Sequence, residues 1–292
     1  MVMKELAALS FGFDLTYTLL LIGITALVAL AYAVRIMRKG RPHYDRIEKQ
    51  GASPLLGKGV MEMAHWGMLP VARLLAFFHV SPNQLSWMSL LFGLLAGLCL
   101  AFGHFGFGAV FATVCSFLDM LDGMVARLTH VASGAGEVLD ASVDRYVEFF
   151  FLGGLIVYYR EMPALQVLTL LALMGSYMVS YSTAKAEALQ VTPPKGSMRR
   201  PERALYLILG AALSPLTIPW FEAHRDYAAP FGHPMVITLC LVAVLANVSA
   251  IERLWAIAKI MRVRERERGK TRLASRLEDA ADVGEGKRNE SI

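Results

Sequence analysis

Runs of about twenty residues without a charged side chain recur along this chain, the first at residues 15–34. In a bilayer no water is available to bond exposed backbone groups, so each such run must fold as a helix. Only 18% of residues are charged, against about a quarter in a soluble domain, and mean hydropathy is +0.47. The fold class is therefore an all-α integral membrane protein with several passes. The runs predict seven spans, near 15–34, 84–102, 107–128, 139–159, 163–187, 204–221 and 234–258.

Charge sets the orientation. Basic residues concentrate in 35–49, 195–203 and 259–276, and segments 103–106, 160–163 and 222–233 are nearly free of them. The positive-inside rule then puts the N-terminus outside and the C-terminus inside. The net charge of +5 fits this topology and anionic lipid headgroups, and gives no reason to expect nucleic acid. The first span ends at Arg35, Arg38, Lys39 and Arg41 and has no small-residue cleavage site, so it is expected to be retained as a helix. Cys99, Cys115 and Cys240 lie in apolar runs, as buried thiols. Four parts follow: an extra N-terminal transmembrane helix (1–35), a cytoplasmic linker with an interfacial amphipathic helix (36–80), a six-helix membrane domain (81–260), and a charged tail (261–292) expected to fade from a short helical extension into disorder. Gly103, Gly106 and Gly108 are expected to form a tight outer turn, and Gly134 with Gly136 a second one.

One stretch carries the chemistry. Between residues 119 and 144 the chain reads D-x2-D-G-x2-A-R-x8-G-x3-D-x3-D. Asp119 and Asp122 share a helix face at i,i+3, and Asp140 and Asp144 share one at i,i+4. A helical hairpin would set the two pairs against each other. Carboxylates so placed repel, and acids within spans need partners. An all-oxygen set suits hard cations such as Mg²⁺ or Mn²⁺, and two pairs suit two ions and an in-line displacement at phosphorus. Arg127 has the planar fork that holds a phosphate, and Gly123 leaves backbone open to a bulky ligand. Both pairs fall at the cytoplasmic ends of their spans. Eight fixed positions match by chance on the order of once in 10¹⁰ starting points.

The stretch resembles the signature of the CDP-alcohol phosphotransferase family, with all eight fixed residues present and no departure in spacing. The resemblance covers roughly residues 60–260 and leaves out the first helix and the tail. It implies a six-helix bundle, to which the N-terminal helix is an addition, and assembly as a homodimer. It implies metal-dependent transfer of a phosphatidyl (substituted phosphoryl) group from a CDP-alcohol, CDP-diacylglycerol first, to the hydroxyl of a polar alcohol, with release of CMP, in phospholipid biosynthesis. By that resemblance Asp119, Asp122 and Asp140 bind metal, with Asp144 sharing a site and serving as general base. Gly123, Ala126, Arg127 and Gly136 line the nucleotide and its phosphates. Asn83, in Pro82-Asn83-Gln84-Leu85-Ser86, matches an element of the family's first core helix and is expected near the nucleotide, with plain helix capping as the alternative.

The acceptor is read from basic residues. Tyr177, Tyr181 and Lys185 form a polar stripe that faces a cavity or glues helices together. A loop with Lys195, Arg199, Arg200 and Arg203 follows. The pair of elements is similar to family members that use inositol phosphate, which implies acceptor binding by Lys185, Arg200 and Arg203. Inositol phosphate stands ahead of glycerol 3-phosphate, with serine or another alcohol behind. An ion-coupled transporter and a catalytically silent scaffold are the readings from other classes.

Overall fold

The computed structural model describes residues 2–42, 44, 57–192, 196, 198–223 and 233–289, with side chains over residues 12–217 and 233–269 of these. Eight helices and no strands occur among the described residues: α1 (Val2–Lys39), α2 (Gly57–Phe77), α3 (Pro82–Ala101), α4 (Phe105–Leu128), α5 (Gly134–Tyr158), α6 (Pro163–Ala188), α7 (Arg200–Ala223) and α8 (Pro234–Asn289). Helices α3 to α8 form the six-helix bundle, and α1 is the additional helix. Lys195, residues 45–56 of the linker and residues 224–232 of the outer loop lie outside the described residues.

Among the described residues five helices are long and apolar enough to cross a membrane by length and composition: α1, α3, α4, α6 and α8. Helix α5 carries Asp140, Asp144, Arg145 and Glu148 inside its predicted span, and α7 opens with Arg200, Glu202 and Arg203 ahead of its own. Apart from Glu202 these charges belong to the site described below.

Local chemistry sets the helix starts. Ser81 caps α3 through a reciprocal box: its Oγ accepts from Gln84 N (3.3 Å), and Gln84 Oε1 accepts from Ser81 N (2.9 Å). Pro82 occupies the first turn, where its missing N–H costs nothing. Ser133 Oγ accepts from Gly136 N (3.1 Å) at the start of α5. Helix α4 lacks a side-chain cap of its own at His104. Asp14 of α1 supplies one, its buried Oδ1 accepting the Phe107 N–H at 3.0 Å.

Helices α3 and α5 meet backbone to backbone. A Cβ on Gly154 would lie 2.1 Å from Gly97 O, and one on Gly97 would lie 2.3 Å from Phe150 O, so only glycine allows the approach. The main core joins α3 to α8 through Leu100, Phe105, Leu152, Leu155, Met235 and Leu239. A second cluster, Ala72, Leu85, Leu121, Met124 and Val125, seats α2 against α3 and the acid-bearing end of α4.

Three expectations change. Gly134 and Gly136 lie within the first turn of α5 and not in a turn between helices, because Ser133 caps the helix just ahead of them. Of the outer glycines only Gly103 sits in the turn, with φ +81°. Gly106 and Gly108 are inside α4, where Gly106 admits the backbone of Asp14 and Gly108 admits Leu100. The tail does not fade after Arg262: α8 runs on to Asn289. Its Arg, Glu, Lys, Ala and Leu residues are good helix formers, no proline interrupts them, and they extend a helix already nucleated in the core. Arg264 ties this extension to the bundle by donating to Leu189 O (3.1 Å) and Gln190 O (3.3 Å), carbonyls just past the end of α6.

Candidate active site

Helices α4 and α5 run antiparallel and bring their acids together at one end. One carboxylate oxygen from each of Asp119, Asp140 and Asp144 lies within 4.8 Å of the others. Asp144 is buried, and Asp119 and Asp140 are partly so. Three converging carboxylates with no soft ligand fit a hard divalent cation. Asp122, the fourth expected ligand, stands apart from this trio. It is buried, and its Oδ2 accepts from Ser86 Oγ of α3 at 2.6 Å. The four-acid group is thus three plus one, because α3 offers Asp122 a hydroxyl at close range.

The arginines divide in an unexpected way. Arg200, placed with the acceptor by the sequence, lies on the acids. Its Nη1 donates to both oxygens of Asp119 (3.1 Å each), and its Nη2 contacts Asp119 Oδ1 (3.1 Å) and Asp144 Oδ1. Arg203 is not open to a ligand on its paired side. It is almost fully buried and grips Glu148 with a fork, Nε to Oε1 at 2.8 Å and Nη2 to Oε2 at 3.3 Å. Its Nη1 is buried with no hydrogen-bond partner. Lys185 is exposed near the end of α6. Tyr177 points its hydroxyl to Arg145 O (3.0 Å), so the α6 stripe binds helices together at that position, and Tyr181 is exposed.

Two residues of this network were not picked out from the sequence. Arg145 contacts Ser180 Oγ, Glu148 Oε2 (3.4 Å) and Asp144 Oδ2 (3.8 Å). Glu148 holds both Arg145 and Arg203. Their signal was present: both are charges inside a predicted span, one and four positions after Asp144 on the same helix.

The expected nucleotide side gathers around the α4–α5 turn. The Arg127 guanidinium folds back over Gly123, whose added Cβ would meet Nη1 at 3.1 Å. Asn83 Oδ1 would lie 3.7 Å from a Cβ on Gly136, so the start of α3 adjoins the first turn of α5. Ala126 is partly buried beside them. On the other side of the acids a cavity opens among α3, α4, α5 and α7. Small side chains line it, including Gly93, Ala96, Ala112 and Ala204, and Asp144, Glu148 and Arg200 form its polar end.

The family model described as CDP-alcohol phosphatidyltransferase matches residues 79–263. The chain is similar to the phosphatidylinositol phosphate synthase of Corynebacterium glutamicum, 34% identical over 158 residues, which cover 52% of this chain and 71% of that one. Among solved structures it is similar to the phosphatidylinositol phosphate synthase of Mycobacterium tuberculosis with CDP-DAG bound, with TM-score 0.55 and 26% identity over 64% of this chain and 92% of that one. The same enzyme in complex with manganese and citrate gives TM-score 0.56 at 26% identity, over 64% and 87%.

Proposed function

Since this chain belongs to the CDP-alcohol phosphatidyltransferase family, and is therefore a membrane-embedded transferase, we propose that its donor is CDP-diacylglycerol, its acceptor inositol phosphate and its released product CMP. The observation that carries this reading is the juxtaposition of three converging carboxylates with three arginines, Arg145, Arg200 and Arg203, at one end of the bundle. The acids suit a diphosphate held through cations. The arginines suit a second phosphate, which serine or a plain alcohol would not bring. The names of the relatives and the CDP-DAG bound to the mycobacterial enzyme support the same reading.

Asp119, Asp140 and Asp144, with Asp122 nearby, are the residues that would hold two divalent ions, Mg²⁺ or Mn²⁺. Such ions neutralise a diphosphate and stabilise departing CMP. Asp144 receives the proton of the acceptor hydroxyl as its oxygen bonds to the phosphatidyl phosphorus and the bond from that phosphorus to CMP breaks. Gly123, Ala126, Gly136 and Asn83 cradle the nucleotide, and Arg127 holds phosphate. Lys185 and Arg200 address the acceptor's phosphate, and Arg203 adds the Nη1 that Glu148 leaves unpaired. Arg145 and Glu148 fix Asp144 and Arg203 in place. The donor's acyl chains reach the site from the lipid. The site faces the cytoplasm, with the N-terminus outside and the C-terminus inside, and the enzyme works as a homodimer.

The test is CMP release from CDP-diacylglycerol by purified protein with Mg²⁺ or Mn²⁺. Inositol phosphate, glycerol 3-phosphate, serine and inositol are supplied one at a time. Release with inositol phosphate, lost in Asp144→Asn, is the expected result. Release only with another acceptor overturns the acceptor, and no release with any of them overturns the donor.

A further inference from the structure

Arg200 is the first residue of α7, and its guanidinium lies on oxygens of Asp119 and Asp144, two of the three acids that converge. It binds Asp119 with a fork, Nη1 reaching both carboxylate oxygens at 3.1 Å. A divalent ion would need lone pairs of these same carboxylates. The guanidinium and the ion also carry the same sign, so one opposes the other at this spot. Arg203, one turn further along α7, differs. Its side chain is 1% exposed and clamped by Glu148, whereas that of Arg200 is 30% exposed and borders the cavity beside Asp144. One arginine is fixed and the other has somewhere to go.

We infer that Arg200 competes with the divalent ion for Asp119 and Asp144, so that metal loading releases its guanidinium to the acceptor's phosphate. The competition follows from the shared carboxylates alone. The destination rests on the acceptor reading proposed above. Linkage makes the coupling reciprocal: a phosphate that draws Arg200 off the acids must tighten metal binding, by the factor through which metal tightens phosphate binding.

Mn²⁺ titration of the purified protein without donor, followed by electron paramagnetic resonance, reads this directly. Arg200→Ala should bind Mn²⁺ at least about fivefold more tightly than the unaltered protein, the lower end of ordinary coupling. Arg200→Gln tests the same point with a side chain of similar length, and a thermal melt verifies that each variant is folded. Inorganic phosphate, a probe independent of the acceptor's identity, should tighten Mn²⁺ binding in the unaltered protein and lose that effect in Arg200→Ala. Equal or weaker Mn²⁺ binding in both variants overturns the competition. A phosphate effect of undiminished size in Arg200→Ala overturns the release, because the anion would then act on the ions directly. If CMP release instead requires an acceptor without phosphate, the acceptor reading fails while the Mn²⁺ comparison still decides the competition.

Discussion

Asp14 and Asp144 are both buried acids, and they stand at opposite ends of the bundle. Asp14 meets a backbone N–H of α4, a partner that cannot leave. Asp144 meets Arg145 and Arg200, whose long side chains can exchange partners. The end with Asp14 continues the first pattern: His233 lies against Phe105 and reaches Ser214 through Nδ1 at 3.2 Å. The end with Asp144 continues the second, with acids and arginines interleaved across α4, α5 and α7. Burial alone therefore does not mark a catalytic acid. The kind of partner does.

The largest effect should separate the two acids by activity. Asp144→Asn is expected to reduce CMP release by about 10²–10⁴-fold, the usual worth of a positioned general base. Asp14→Ala should leave turnover per folded molecule within a factor of two or so, since the cap carries no proton in the reaction. Comparable losses of kcat in both would erase the contrast.

Next comes the buried pair that supports the end with Asp144. Glu148→Ala leaves Arg203 buried beside no acid, at a cost of about 3–5 kcal/mol, to be read as a drop in melting temperature in detergent. Changing both residues to methionine should recover much of that loss, because no lone buried charge remains. A double variant as unstable as the single one would mean that Glu148 matters for more than its partner.

A smaller change tests the cap that Asp14 gives α4. Asp14→Ala should cost about 1 kcal/mol of stability, and Asp14→Asn, which keeps an acceptor oxygen, should restore most of it. The smallest effect concerns pH. Burial pushes His233 down to about 4, so the folded protein holds it neutral. A group with a lowered folded pKa gives stability that is full above its unfolded value, about 6.5, and fades as pH falls toward 4. The melting temperature should decline over that window, and His233→Gln should flatten the decline.

Much of the site was legible because its residues are close in sequence. Asp119 through Asp144 occupy one hairpin, and helical spacing alone puts Asp140 and Asp144 on one face. Partnerships between distant segments were not legible. Ser86 meets Asp122 across 36 positions and Glu148 meets Arg203 across 55, and no local pattern joins either pair. Arg200 stands out in the sequence as a cation for the acceptor, but its seat on the acids depends on how α7 packs against α4. Gly106 was misplaced for a different reason. Glycine serves both turns and close helix approaches, and the sequence does not say that the backbone of Asp14 is the neighbour. The tail was misjudged because a charged segment suggests solvation, and solvation is compatible with a continuing helix.

The glycine contact between α3 and α5 has a mechanical consequence. Gly97 and Gly154 touch backbone to backbone, and ten residues of α5, about 15 Å of helix, separate this point from Asp144. The contact acts as a pivot. Neither helix can slide past the other without forcing main chain into main chain, so a bilayer that thins or thickens must be met by tilting about this point or by the surrounding helices. The arm of α5 from this contact to Asp144 is continuous helix, so a tilt about the glycines carries Asp144 with it as one piece.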